Sequence, residues 1–135
     1  TATGTKNSTT FLRGDNTFNT PSVASLSTAS GSAPSYSARA WVNFNGTGTV
    51  AIRASGNVSS ITDNGTGDYT VNFATAIADV NYSITGLAQR SSGSGCSPFI
   101  KVGGTYSTTA CAVTIFDPNS MAAHDPTIAA FAIFR

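Results

Sequence analysis

The sequence predicts an all-β chain: an antiparallel sandwich of about eight strands with an extended N-terminal arm. Three observations carry that reading. From Ala38 onward, short apolar runs alternate with polar residues and end at Gly, Asn, Asp or Ser, the pattern of strands and turns. Glu is absent and only 10% of the 135 residues are charged, whereas soluble helices are usually surfaced with Glu and Lys. Residues 1–37 are rich in Ser, Thr, Ala and Gly, with sparse apolar residues and no sustained period. Such a segment cannot bury enough surface to fold alone. It reads as an arm, with 38–135 as the sandwich domain.

The elements follow in order. Ala40-Trp41-Val42-Asn43-Phe44 is the first strand, and Asn45-Gly46-Thr47-Gly48 is a hairpin signal, because Asn and Gly tolerate positive φ. Thr49–Ala54 follows, then a turn at 55–57 and a short strand, Val58–Ile61. Thr62–Gly67 reads as a turn. Asp68–Phe73 alternates cleanly, with Tyr69, Val71 and Phe73 on one face. Val80–Thr85 alternates too. Phe99–Val102 and Tyr106–Phe116 flank Gly103-Gly104-Thr105, read as a tight hairpin, and Thr127–Phe134 is the last strand. Evenly spaced short strands of this kind build sandwiches and barrels, here of jelly-roll-like type.

Short connections make consecutive strands antiparallel, so parity sorts the loops. Connections 45–48, 62–67, 88–97 and 117–126 fall at one end, and 55–57, 75–79 and 103–105 at the other, where the arm enters. A rigid sheet with loops gathered at one end is a common binding architecture. Net charge is +1 and the five Arg and two Lys are scattered, so no basic stripe favours nucleic acid. No apolar run reaches the roughly 18 residues of a membrane span, and no signal peptide is visible.

Chemistry-bearing motifs are few. The six Asp sit mostly beside Gly, Asn or Pro, where a short carboxylate bonds nearby backbone. Paired carboxylates with a Glu acid, a nucleophile elbow and a phosphate loop are absent. The chain is expected not to be an enzyme and to need no cofactor. The sole histidine, His124, cannot build a metal site alone. Three copies could meet on a symmetry axis, but a surface turn explains it more simply, and no metal is expected.

Phe11-Leu12-Arg13-Gly14-Asp15-Asn16-Thr17-Phe18 resembles the F-L-R-G-D-G-T-W signature of bacteriophage tail fibres, with Asn16 for Gly and Phe18 for Trp. The blocks Ala38–Val50 and Val58–Phe73 are similar to C-terminal domains of tail fibres from marine phages and cyanophages. The resemblance covers roughly 11–85. Arg13-Gly14-Asp15 also spells the integrin tripeptide, but the fibre signature explains it as a turn anchored by Phe11 and Phe18.

The resemblance implies a virion protein at the fibre tip, joined to an upstream shaft. It would be a homotrimer, and its work would be attachment to a host cell-surface glycan or outer-membrane component. The coreless arm and the apolar strand Ile128–Phe134 agree with a trimer. Receptor contacts are expected from the loops 88–97 and 117–126, through Gln89, Arg90, Asp117, Asn119, His124 and Asp125, with Ser91–Gly95 letting backbone approach closely. Two other classes stand beside this one: a purely structural virion part, for trimerisation or capsid decoration, and a polysaccharide depolymerase. Cys96 and Cys111 flank the 103–105 hairpin. With a two-residue loop, Cys111 faces Pro98 and Cys96 lies diagonal to it, so a disulfide is one reading. Two separate buried thiols is the other, favoured by virion assembly in a reducing cytoplasm.

Overall fold

The computed structural model describes residues 3–4, 11–12, 14, 17–19, 38–92 and 96–135. The chain divides into two compact units, Thr1–Ser35 and Tyr36–Arg135. In the first, β1 (Phe11–Leu12) and β2 (Phe18–Asn19) pair antiparallel with Leu12 opposite Phe18, and Thr3 bridges Thr17. The chain turns at Gly14, between these strands. Arg13, Asp15 and Asn16 lie outside the described residues, as does most of 1–37 and the Gly93–Gly95 stretch.

The second unit holds eight strands: β3 (Ala40–Asn45), β4 (Ala51–Gly56), β5 (Val58–Gly65), β6 (Asp68–Phe73), β7 (Ser83–Gln89), β8 (Ser97–Ile100), β9 (Ala110–Phe116) and β10 (Ile128–Phe134). They form two four-stranded antiparallel sheets, ordered β4-β3-β10-β7 and β5-β6-β9-β8. No helix forms among the described residues. The first and last strands are neighbours, and β4–β5, β6–β7, β7–β8 and β9–β10 cross between sheets.

Alternation decides the core. In β3, Ala40, Val42 and Phe44 are buried; in β6, Tyr69, Val71 and Phe73; in β10, Ala129, Phe131 and Ile133. These rows meet Cys111, Val113 and Ile115 of β9 in one apolar cluster between the sheets. Phe44 stacks on Phe131 and meets Tyr69 edge to face, at centroid separations of 6.3 and 5.2 Å, which ties the sheets through aromatic contacts.

Several strand limits differ from those the sequence suggests. β5 runs on to Gly65, because register shifts at Val58/Ser60 and Asp63/Gly65 absorb its turn-type residues within the pairing. β7 begins at Ser83 and passes through Gly86, beyond the expected end at Thr85. Val80 and Tyr82 belong to the preceding loop, where the Tyr82 hydroxyl donates to Ser107 O at 2.9 Å. The 103–105 hairpin is a longer connection: β8 ends at Ile100 and β9 starts at Ala110. It is tied by Ala112 N to Thr105 O at 2.6 Å and Ser107 N to Ala110 O at 2.9 Å. The longer loop changes the register, so Pro98 faces Ile115 and Cys111 faces Val71. Cys96 bridges Ala88 of the other sheet. The cysteines are therefore not diagonal neighbours, and both are free and buried.

Candidate functional site: the loop end of the sandwich

The connections 45–48, 62–67, 88–97 and 117–126 do meet at one end. The bonds that join them run from β3–β4 to β9–β10 (Gly46 N to Pro126 O, 2.8 Å), from β5–β6 to β9–β10 (Gly67 N to Asp125 Oδ1, 2.7 Å), and from β7 to the start of β10 (Thr127 N to Gln89 O, 2.8 Å). At the opposite end Asn57 Nδ2 donates to Arg39 O and Thr75 O, both at 3.0 Å, where the chain enters β3.

The 117–126 connection is built backbone first. Met121 N donates to Asp117 O at 2.8 Å and Asn119 N to Asp117 Oδ1 at 2.8 Å, closing a turn over Pro118. Met121 sits at φ 57 there. The chain then doubles back along β9: Asp117 N bonds Ala122 O, Phe116 bridges Ala123, and His124 N bonds Ile115 O. A short Asp side chain that bonds amides two residues ahead suits such a turn.

Beyond it, Asp125 and Pro126 carry the chain to the other sheet. Asp125 Oδ1 accepts from Gly67 N and lies 2.7 Å from the Tyr69 hydroxyl, which is 3.1 Å from Gly46 O. Tyr69 is fully buried. Burial first, and the Asp125 carboxylate second, drive its ionisation well above the ordinary phenol range. The hydroxyl is therefore a permanent donor, and Asp125 is the acceptor that staples three loops together.

Arg90, just after β7, pairs with Asp117 Oδ2. Only 20% and 16% of these side chains is exposed, so the pair braces 88–97 against 117–126 as a partly desolvated contact. The Asn119 amide first, and Arg90 second, hold the Asp117 carboxyl below the usual carboxylate range.

No family model, curated protein or solved structure matches the chain. The site must be read from its own geometry. Of the six expected contact residues, the structure joins Arg90 to Asp117 and Asp117 to the Asn119 amide. Gln89 presents an exposed side chain while its carbonyl accepts from Thr127 N and Oγ1. His124 is half-buried and its amide is bonded to Ile115. Asp125 is committed to Tyr69 and Gly67. Among the described residues, no three His, Cys, Asp or Glu side chains gather as a metal site would require.

Two features escaped the sequence reading. Tyr69 was legible only as a core residue; the signal was that a buried phenol needs a hydrogen-bond partner. The second is a cleft of about 420 Å³ on the outer face of the β8–β9 pair, lined by Phe99, Val102, Thr114, Phe116 and Met121. Its rings, Phe99 and Phe116, stand 6.2 Å apart on the face of β9 opposite the buried Cys111, Val113 and Ile115.

Proposed function

We propose that the chain is the tip domain of a bacteriophage tail fibre, a jelly-roll-like sandwich that acts as a homotrimer below a fibre shaft. It attaches the virion to a host cell-surface glycan or outer-membrane component. Attachment of this kind is binding alone and breaks no bond. The observation that carries the reading is the braced loop end. Four connections converge opposite the point where the chain enters the sandwich, and they are tied by Asp125, Tyr69, Gly46 and the Arg90–Asp117 pair. A surface held in one conformation before binding loses little entropy on contact. The tail-fibre resemblance of residues 11–85 supplies the partner class. The adjacency of the first and last strands, β3 and β10, is the feature shared with a jelly roll, while β3–β4, β5–β6 and β8–β9 pair as hairpins within one sheet.

The bonding pattern divides the six candidate residues. Arg90, Asp117 and Asp125 shape the surface, whereas the side chains of Gln89 and His124 offer donors and acceptors suited to sugar hydroxyls. The test is retention of the purified chain on a panel of marine bacterial and cyanobacterial cells and on their extracted surface polysaccharides. The double variant Gln89→Ala, His124→Ala is expected to lose retention with its thermal unfolding unchanged. Undiminished retention would overturn the loop-end assignment. Retention on no surface would favour a purely structural virion part, and release of reducing ends would favour a depolymerase.

A further inference from the structure

Alternation in the β4-β3-β10-β7 sheet turns Val42, Phe44, Phe131 and Ile133 into the core. Their chain neighbours Trp41, Asn43, Ala130 and Ala132 therefore face outward. Register sets these in rows across β3, β10 and β7. Trp41, Ala132 and Thr85 form one row, and Asn43, Ala130 and Leu87 the next. The middle strand offers only methyl groups, while the strands on either side carry longer side chains. The result is a trough floored by Ala130 and Ala132, with a cavity of about 410 Å³. Its walls are two strand spacings apart, about 10 Å between backbones. Small-molecule sites typically have about 300–1,000 Å³.

The walls combine an aromatic ring with neutral polar groups. Trp41 is 43% exposed, yet its ring is seated. It lies over Gly56, its partner on β4, where a Cβ would come 2.3 Å from the indole Nε1. Any side chain at that position would displace the indole, so the glycine fixes where the ring stands. Asn43 turns its Oδ1 toward Arg53 Nη1, 3.5 Å away. That leaves Asn43 Nδ2 as a donor without a protein partner among the described residues. The Thr85 hydroxyl on the opposite wall is exposed and likewise has none. No charged side chain lines the trough.

We propose that this trough binds a neutral sugar ring of a saccharide, stacked on Trp41 and hydrogen-bonded by Asn43 and Thr85. A pyranose is amphipathic. Its C–H face is apolar and suits the electron-rich face of an indole, while the hydroxyls around its rim both donate and accept. The trough presents the same division: a ring and methyl groups for the face, an amide and a hydroxyl for the rim. A lipid chain, or an apolar face of a second copy, would take Asn43 and Thr85 out of water without partners. A charged ligand would meet no counter-charge among the lining residues. The site is separate from the loop end, since none of the six candidate residues there lines it, and it does not depend on the fibre-tip reading.

Trp41 is the sole tryptophan, so its emission reports the site directly. The experiment titrates the full chain with neutral oligosaccharides of glucose, mannose, galactose and N-acetylglucosamine, with calorimetry for the affinities and circular dichroism melts as the check on folding. At least one saccharide is expected to shift the emission saturably. Trp41→Ala is expected to weaken its binding at least about tenfold, and Asn43→Ala and Thr85→Val roughly threefold to tenfold each. Ala132→Gln fills the floor while leaving the ring and both polar groups in place, and is expected to abolish the response. Thr85→Val changes little more than one exposed hydroxyl, so it tests the site even where a bulkier variant fails to fold. The double variant Gln89→Ala, His124→Ala is expected to bind the saccharide as the wild type does. Silence across the panel would overturn the trough, as would binding that survives both Trp41→Ala and Ala132→Gln. An emission shift with phosphatidylcholine vesicles in place of every saccharide would overturn it in favour of a lipid surface. None of these outcomes decides the loop-end reading, which is tested separately by retention of the Gln89, His124 variant on cells.

Discussion

Replacing Tyr69 with Phe removes one oxygen from the centre of the loop end. The ring keeps its edge-to-face contact with Phe44, at 5.2 Å between centroids, and stays in the core. What disappears is the donor 2.7 Å from Asp125 Oδ1 and 3.1 Å from Gly46 O. A hydrogen bond to a charged group contributes about 1.5–3 kcal/mol, and an acceptor left without its donor costs a similar amount when water cannot reach it. Asp125 retains the Gly67 amide and is only half-buried, which places the expected loss near the middle of that range, at about 2 kcal/mol. For a domain of this size that corresponds to a fall of roughly 8 °C in Tm. Urea unfolding followed by the fluorescence of Trp41, the sole tryptophan, measures it directly. Asp125→Ala is expected to cost more, because it also orphans the Gly67 amide, and the double variant less than the sum of the two, with a coupling of about 1–2 kcal/mol. A Tyr69→Phe loss under about 0.5 kcal/mol, or strict additivity with Asp125→Ala, would refute the staple.

Gly67 and Gly48 share a φ of +66, but a Cβ on Gly67 would lie 2.5 Å from Ile115 O and 2.7 Å from His124 N, while one on Gly48 meets open space. Gly67→Ala is therefore expected to cost about 3 kcal/mol and Gly48→Ala about 1 kcal/mol by denaturant titration; equal losses would show that backbone strain alone matters. Asp79 is held down to about 2, first by the Arg135 side chain and next by the Asn81 amide. Its folded value is depressed, so the stabilisation is complete above the ordinary carboxylate range and is lost as the pH falls toward 2; a carboxyl NMR titration of Asp79 with an ordinary midpoint would contradict it. Burial pushes the Cys111 thiol up to about 12, so at pH 8 it should stay unreactive toward a disulfide reagent until the chain is unfolded, and rapid labelling of the native protein at Cys111 would sink that expectation.

What the sequence made legible was what depends on side-chain alternation. The rows of β3, β6 and β10 are the cleanest period-2 stretches, and their buried faces are those alternation indicates. Parity of short connections sorted the loop ends as the hydrogen bonds do. What failed depended on local backbone chemistry. The strand expected over Val80–Thr85 stops short of Gly86, yet Gly86 sits within β7, where the Phe131 ring lies 2.5 Å from the place a Cβ would take. Asp63-Asn64-Gly65 reads as a turn, yet a bulge takes those residues into β5. At the loop end, residue type gave polar candidates but could not separate those that bond the protein from those that face outward. Asp125 shows the limit: its partners, Gly67 and Tyr69, lie more than fifty residues away in the chain.

That separation bears on how attachment would work. Once Arg90, Asp117 and Asp125 are spent on bracing the loops, a receptor would meet mainly neutral groups on a chain of net charge +1. Neutral hydrogen bonds exchanged with water contribute about 0.5–1.5 kcal/mol each, so a single loop end made of them binds weakly. Multiplicity then has to supply strength, and linked sites gain affinity only if all can reach the surface at once. On the proposed trimeric reading an axis along the strands provides that condition, because it turns three loop ends to the same side. A change that separates the copies would then weaken retention on cells as strongly as damaging the loop end itself, without altering any group that touches the receptor.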